Sequence, residues 1–140
     1  MQEYSTRGPQ ETEEAGENLI RQFGTQRLFC LYGPLAAGKT TLVKGLARAM
    51  GIGETIVSPS YVLLRQYEGD STLFHLDLFR IGSEEEFVEA GLDEYLIQPP
   101  GVVAIEWAGR IKDILPRNRV DVKFELIGEK ERLIRIEALT

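Results

Sequence analysis

Apolar residues recur along this chain with two different periods, and the alternation between them outlines the elements. Over residues 10–23, Ala15, Leu19, Ile20 and Phe23 fall at helical spacing. Pro9 ahead and Gly24 behind suit the start and stop of that helix. Residues 27–32 (RLFCLY) form a short, mostly apolar run of the kind a buried strand needs. Small residues at 33–38 predict a loop, and 39–50 (KTTLVKGLARAM) a helix closed by Gly51. A short β-branched stretch at 55–57 is broken by Ser58-Pro59-Ser60. Residues 61–67 and 72–79 predict a hairpin across Glu68-Gly69-Asp70-Ser71. Two short acidic helices follow at 84–90 and 93–96, then a stop at Pro99-Pro100-Gly101 and a continuous apolar strand at 102–105. A last hairpin joins 121–127 to 132–138 across Gly128-Glu129-Lys130-Glu131. The opening residues are polar and hold Gly8-Pro9, which predicts an irregular start over 1–8. A strand–loop–helix unit followed by hairpins implies an α/β domain over 1–140 with a mixed parallel and antiparallel sheet.

Composition narrows the function classes. A chain of 140 residues, 43% hydrophobic, can bury roughly 70% of its unfolded surface and fold without metal or disulfide staples. Cys30 is the single cysteine, so no intramolecular disulfide forms and an intracellular, cytoplasmic protein is expected. The net charge of -6 argues against broad electrostatic binding to nucleic acid. No apolar run approaches a membrane span, and residues 1–10 lack the apolar core of a secretory signal.

Gly33-Pro34-Leu35-Ala36-Ala37-Gly38-Lys39-Thr40 fits G-x-x-x-x-G-K-[ST] in full. Small residues let backbone N–H groups turn inward around phosphate oxygens. The following helix adds its unpaired N–H groups and the positive end of its dipole. Lys39 is placed for the β- and γ-phosphates and Thr40 for Mg²⁺, with Leu35, Ala36, Ala37, Gly38 and Thr41 completing the cradle. The motif follows an apolar strand and opens a helix, as that chemistry requires, so the expected architecture is a P-loop NTPase-like three-layer fold.

Such a loop needs a carboxylate beside its magnesium. Glu106, at the end of the apolar run 102–105, sits where ligands bind in open α/β sheets. Asp77 is the second acid, set in an apolar strand where it is costly unless paired or used. His75 shares its face and is placed to orient Asp77 or line the nucleotide pocket. Ser58 and Ser60 are placed as hydroxyls for a γ-phosphate or its metal, in a switch-like segment. Glu84, Glu85, Glu86, Glu89, Asp93 and Glu94 form an acidic stretch without a basic residue, either a solvated face or a docking surface for a basic partner.

Taken in order, these motifs resemble the TsaE family (older name YjeE), small ATPases of bacterial tRNA threonylcarbamoyladenosine synthesis. Gly33 to Leu42 looks like the family's Walker loop, and Val57-Ser58-Pro59-Ser60-Tyr61 resembles its Ser-Pro-Thr switch. His75-Leu76-Asp77-Leu78-Phe79-Arg80 is similar to its His-x-Asp-x-Tyr-Arg motif. Glu84-Glu85-Glu86 with Gly91-Leu92-Asp93-Glu94-Tyr95 resembles its acidic connector, and Glu106-Trp107 its Glu-Trp pair. The chain departs from the family pattern at Pro34 and Ala36, where Asp and Gly are usual. A positive φ at Ala36 would strain its methyl group. Ser60 stands for Thr, Phe79 for Tyr and Gly109 for a common Glu. The resemblance implies a Mg²⁺-dependent ATPase that binds ATP and ADP. Its partners would be the TsaB–TsaD pair, which modifies the adenosine next to the tRNA anticodon, so tRNA is met only indirectly.

Three rival readings stay open on the residues. Asn118-Arg119-Val120-Asp121 resembles the guanine reader of a GTP-binding switch, with Arg in place of Lys. Arg110, Arg117 and Arg119 around Pro116 offer weak material for the lid of a small-molecule kinase. A nucleotide-dependent assembly factor without required catalysis is the third.

Overall fold

The computed structural model describes residues 1–58 and 63–140. Among these, the chain order is β1 (Gln2–Thr6), α1 (Pro9–Phe23), β2 (Leu28–Tyr32), α2 (Lys39–Ala49), β3 (Leu64–Glu68), β4 (Thr72–Asp77), α3 (Glu84–Glu89), α4 (Glu94–Ile97), β5 (Val102–Glu106), a 3₁₀ stretch (Ala108–Ile114), β6 (Arg119–Leu126) and β7 (Arg132–Leu139). The strands form one sheet in the order β1-β7-β6-β2-β5-β4-β3. Its centre, β6-β2-β5-β4, is parallel. The antiparallel strands lie outside, with β7 and β1 at one edge and β3 at the other.

The central strands are covered on both faces, which is why 27–32 and 102–105 read as unbroken apolar runs. Phe29, Leu31, Leu73, Ala104, Val120 and Val122 meet Leu19 of α1 and Leu42, Val43 and Leu46 of α2. Leu28, Cys30, Phe74, Leu76, Val103 and Ile105 meet Phe87, Leu92, Leu96 and Ile111 on the opposite face. This is the expected three-layer α/β architecture with a mixed sheet. Among the described residues, no helix is long and apolar enough to cross a membrane.

The irregular start expected over 1–8 is corrected: Gln2–Thr6 is a strand, paired antiparallel with β7 from Gln2↔Ile136 to Thr6↔Arg132. Its sequence, QEYST, has only Tyr4 to offer the core, and Thr6 is buried with its hydroxyl 3.0 Å from that of Thr12. The free edge of β7 supplies the pairing that local composition does not announce. Residues 55–57 join no strand, although the Val57 N–H bonds the Tyr67 hydroxyl at 3.3 Å. Of the hairpin expected from 61, the strand begins at Leu64; Tyr61 and Val62, like Pro59 and Ser60, lie outside the described residues.

Part of the acidic stretch has a local purpose. Ser83 caps α3 by accepting from the Glu86 N–H, and Glu86 accepts in return from the Gly82 N–H. Glu84 accepts from the Asp113 N–H and so ties α3 to the 3₁₀ stretch. The acids at this helix start also suit its dipole.

α1 and α2 cross through Gly16 and Gly45, so closely that a Cβ on Gly45 would collide with the Glu13 carbonyl. That collision involves backbone and has no side chain to absorb it. Gly45→Ala is expected to destabilise the fold by about 3 kcal/mol, the upper end of the overpacking range. A urea melt checks it, and an unchanged midpoint would refute the account.

Candidate active site

The site lies where β2, β4 and β5 end. Because the three strands are parallel, their C-terminal ends share one edge, and Asp77 ends level with Glu106 in the register. The chain leaves β2, turns through residues 33–38 and enters α2 at Lys39. The turn requires left-handed backbone: φ is 62° at Ala36 and 106° at Gly38. Gly38 adopts this freely, whereas Ala36 meets the strain its methyl predicts. Gly33 admits no side chain, since a Cβ there would press on Phe124. The N–H groups of Lys39, Thr40 and Thr41 have no carbonyl four residues earlier within the helix, and they open on a cavity of about 380 Å³.

Polar side chains converge beneath this loop. The Thr40 hydroxyl donates to Glu106 Oε2 at 2.6 Å. His75 Nε2 meets the same oxygen, also at 2.6 Å. Ser58 donates to Asp77 Oδ2 at 3.2 Å, while Asp77 Oδ1 accepts from the Phe79 N–H at 2.9 Å. Lys39 Nζ donates to the carbonyls of Gly33 at 2.6 Å and Pro34 at 2.8 Å, and lies 4.1 Å from the centre of the Trp107 ring. Burial holds the Lys39 ammonium below the ordinary lysine value, while the charges of Glu106 and Asp77 pull it back up.

The cavity gathers most of the residues singled out from the sequence. Leu35, Ala36, Ala37, Gly38, Lys39, Thr40 and Thr41 line it, with Ser58, Asp77 and Glu106 opposite. Two of them stand back. Gly33 contributes only its carbonyl to Lys39. His75 differs more substantially from expectation: it is 0% exposed, is not part of the lining, and its Nε2 meets Glu106 rather than Asp77. Its Nδ1 has no hydrogen-bond partner among the described residues, a cost of about 1–3 kcal/mol. Ser60 lies outside the described residues.

Other site residues were assigned no chemistry in the sequence reading. Trp107 directly follows Glu106, takes a left-handed φ of 60°, and places its ring between Lys39 and Phe79. The Glu106-Trp107 pair of the family resemblance marked this residue, but nothing in the sequence placed its ring over Lys39. A second cavity, of about 450 Å³, flanks the other side of the loop at Ala36 and Gly38. Arg7, Thr12, Lys130 and Arg132 reach it from the start of the chain and from the last hairpin.

The geometry removes the material of the guanine reader and two of the three arginines of the lid. Arg119 opens β6 beside the start of β2, at the sheet edge remote from the loop. Its guanidinium is held by Asp121 at 2.9 Å and by the Pro116 carbonyl, and Asp121 also accepts from the Tyr32 hydroxyl. Asn118 and Asp121 are therefore structural and read no guanine. Arg117 bonds the Thr140 carbonyl, so Arg117 and Arg119 form no lid over the cavity, whereas Arg110 stays beside it, donating to the Phe79 carbonyl at 3.4 Å.

Known proteins resemble this chain over nearly its whole length. Residues 6–134 match the family model described as "Threonylcarbamoyl adenosine biosynthesis protein TsaE". The chain belongs to the TsaE family. It is 37% identical over 131 residues to the tRNA threonylcarbamoyladenosine biosynthesis protein TsaE of Treponema pallidum, covering 94% of this chain and 96% of that one. It is 34% identical over 137 residues to the TsaE protein of Bacillus subtilis, covering 97% and 85%. The crystal structure of Bacillus subtilis YdiB superposes with a TM-score of 0.80 at 32% identity, over 99% of this chain and 86% of that one. As a TsaE protein, the chain is involved in tRNA threonylcarbamoyladenosine biosynthesis.

The strained Ala36 yields a prediction. A non-glycine residue in left-handed backbone costs about 1–2 kcal/mol, and glycine costs back about 0.5–1 kcal/mol in chain entropy. Ala36→Gly is expected to raise stability by about 0.5–1 kcal/mol, read from a urea melt. A loss of stability would show that the methyl is not strained.

Proposed function

We propose that this TsaE protein binds ATP and ADP with Mg²⁺ and hydrolyses ATP, slowly alone and faster when docked on the TsaB–TsaD pair. It acts in the cytoplasm and meets tRNA only through those partners. The observation that carries this reading is the meeting of Thr40 and Glu106, 2.6 Å apart, at the start of α2 and beneath the loop 33–38. A hydroxyl and a carboxylate are hard oxygen donors, which fit Mg²⁺. Bound Mg²⁺ would neutralise phosphate charge as it develops.

Each residue then has a task. The first-turn N–H groups of α2 hold the phosphates, and Lys39 exchanges the Gly33 and Pro34 carbonyls for phosphate oxygens. Thr40 and Glu106 hold the metal. Asp77 orients the attacking water, with Ser58 beside it to sense the γ-phosphate. The second cavity, with Thr12 and Arg132, takes the nucleoside. Dependence on partners fits a phosphate motif that supplies one cation, Lys39, and no arginine, while Arg80 lines the cavity from outside the motif. Glu85 and Glu89 are exposed and carry none of the capping bonds of Glu84 and Glu86, so they offer the acidic face for docking.

Binding and turnover separate the roles. In calorimetry, Lys39→Ala is expected to weaken ATP by tenfold or more, and Glu106→Gln to remove most of the gain from Mg²⁺. Asp77→Asn should keep ADP affinity and lower hydrolysis by about 10²-fold or more. Equal ATP affinity in wild type and Lys39→Ala would sink the nucleotide reading. The same loss of ADP affinity in Glu106→Gln and Asp77→Asn would sink the division between them.

Partner dependence is tested separately. Adding TsaB–TsaD is expected to raise turnover, with the association weakening as salt rises. Glu85→Lys with Glu89→Lys should weaken that association and leave nucleotide affinity unchanged. Fast turnover by the isolated protein, with no response to the pair at low salt, would overturn the proposal.

A further inference from the structure

We propose that His75 is a positioning residue that sets the metal preference of the site, by committing one oxygen of Glu106 and leaving the other as the single oxygen free for the cation. This rests on the reading that a divalent cation is held at Thr40 and Glu106.

The argument begins with one atom. Glu106 Oε2 accepts from the Thr40 hydroxyl and contacts His75 Nε2, both at 2.6 Å. An ionised carboxylate can only accept, so Nε2 carries the imidazole proton and donates it. Oε2 thereby has both lone-pair directions used, and Oε1 remains. The ring is 0% exposed, and its other nitrogen has no partner among the described residues. The only polar contact the imidazole makes there is the one that fixes Glu106. β4 and β5 hold the two residues in place, because Asp77 pairs with Glu106 and His75 with Ala104 in a continuous parallel ladder.

A carboxylate locked in this way can serve a cation through one oxygen only. Ca²⁺ gathers about six to eight oxygens at about 2.3–2.6 Å and often takes both oxygens of one carboxylate. Mg²⁺ requires six at about 2.0–2.1 Å in near-octahedral order, keeps several waters and accepts one oxygen, directly or through water. The His75 contact therefore favours Mg²⁺ and works against Ca²⁺. Without it, Glu106 is free to rotate and offer both oxygens.

The experiment measures ADP affinity by calorimetry in Mg²⁺, in Ca²⁺ and in chelator, for wild type, His75→Leu and His75→Gln, with a thermal melt of each. Wild type is expected to gain tenfold or more in affinity from Mg²⁺ over Ca²⁺. His75→Leu should shrink that ratio by about tenfold, chiefly by improving Ca²⁺. His75→Gln, whose amide nitrogen reaches the place of Nε2, should restore most of it. A merely structural role would weaken ADP with both cations together and leave the ratio alone. If the leucine variant does not fold, His75→Met makes the same comparison with a more adaptable side chain. An unchanged ratio in the apolar variants, or a wild type that does not discriminate the two cations, overturns the proposal while the nucleotide reading stands. ADP binding indifferent to any divalent cation overturns the metal reading and this proposal with it.

Discussion

Glu106 ends the central strand β5 with a carboxylate that is 4% exposed. Left alone at such a depth, an ionised carboxylate would cost several kcal/mol. It is offset by two donors on one oxygen, the Thr40 hydroxyl from α2 and the His75 imidazole from β4. Three elements far apart in the chain are thus tied at a single atom, and the first turn of α2 is anchored to the sheet edge. The phosphate loop has its position because α2 has its position. A one-residue slip of β5 would put Ile105 on the α2 face and break the arrangement, so the register of the parallel strands is part of the site.

Strain and compensation gather around Lys39. Ala36 before it and Trp107 across from it are left-handed non-glycine residues, each costing about 1–2 kcal/mol. Their effect is spatial. The turn at Ala36 brings the Gly33 and Pro34 carbonyls to the ammonium, and the turn at Trp107 brings an indole face to it. A buried cation is thereby satisfied internally, by two carbonyls and one aromatic ring. Phe79 packs against the same indole, so the residues after β4 and those after β5 support one another over the cavity.

Much of the fold was legible because the central strands are buried on both faces and the helices on one. Those two burial patterns leave periods in the sequence that local reading recovers, as at 27–32, 39–50 and 102–105. The first strand left almost no such trace. An edge strand with one half-buried tyrosine looks like any polar segment, and it exists because β7 offers it a hydrogen-bonding edge. The second cavity was invisible for a related reason. Arg7 and Thr12 meet Lys130 and Arg132 only after β1 and the β6–β7 hairpin close beside the loop.

His75 shows where reading by faces stops. Alternation along β4 placed it correctly on the side of Asp77 and Leu73, but alternation orders side chains along one strand and says nothing of the strand beside it. β5 is β4's parallel neighbour, and its Glu106 reaches the imidazole across that pairing. The sequence by itself determined the chemistry available: a glycine-bounded loop before a helix, a lysine and threonine in its first turn, and two carboxylates in or closing apolar strands. Those follow from local backbone preference and from the cost of burying charge, both of which act within a few residues. Only the tertiary structure decided which carboxylate meets the threonine, which oxygen the histidine takes and which ring lies over the lysine. Those pairings depend on strand order and register, which arise from contacts between segments separated by dozens of residues.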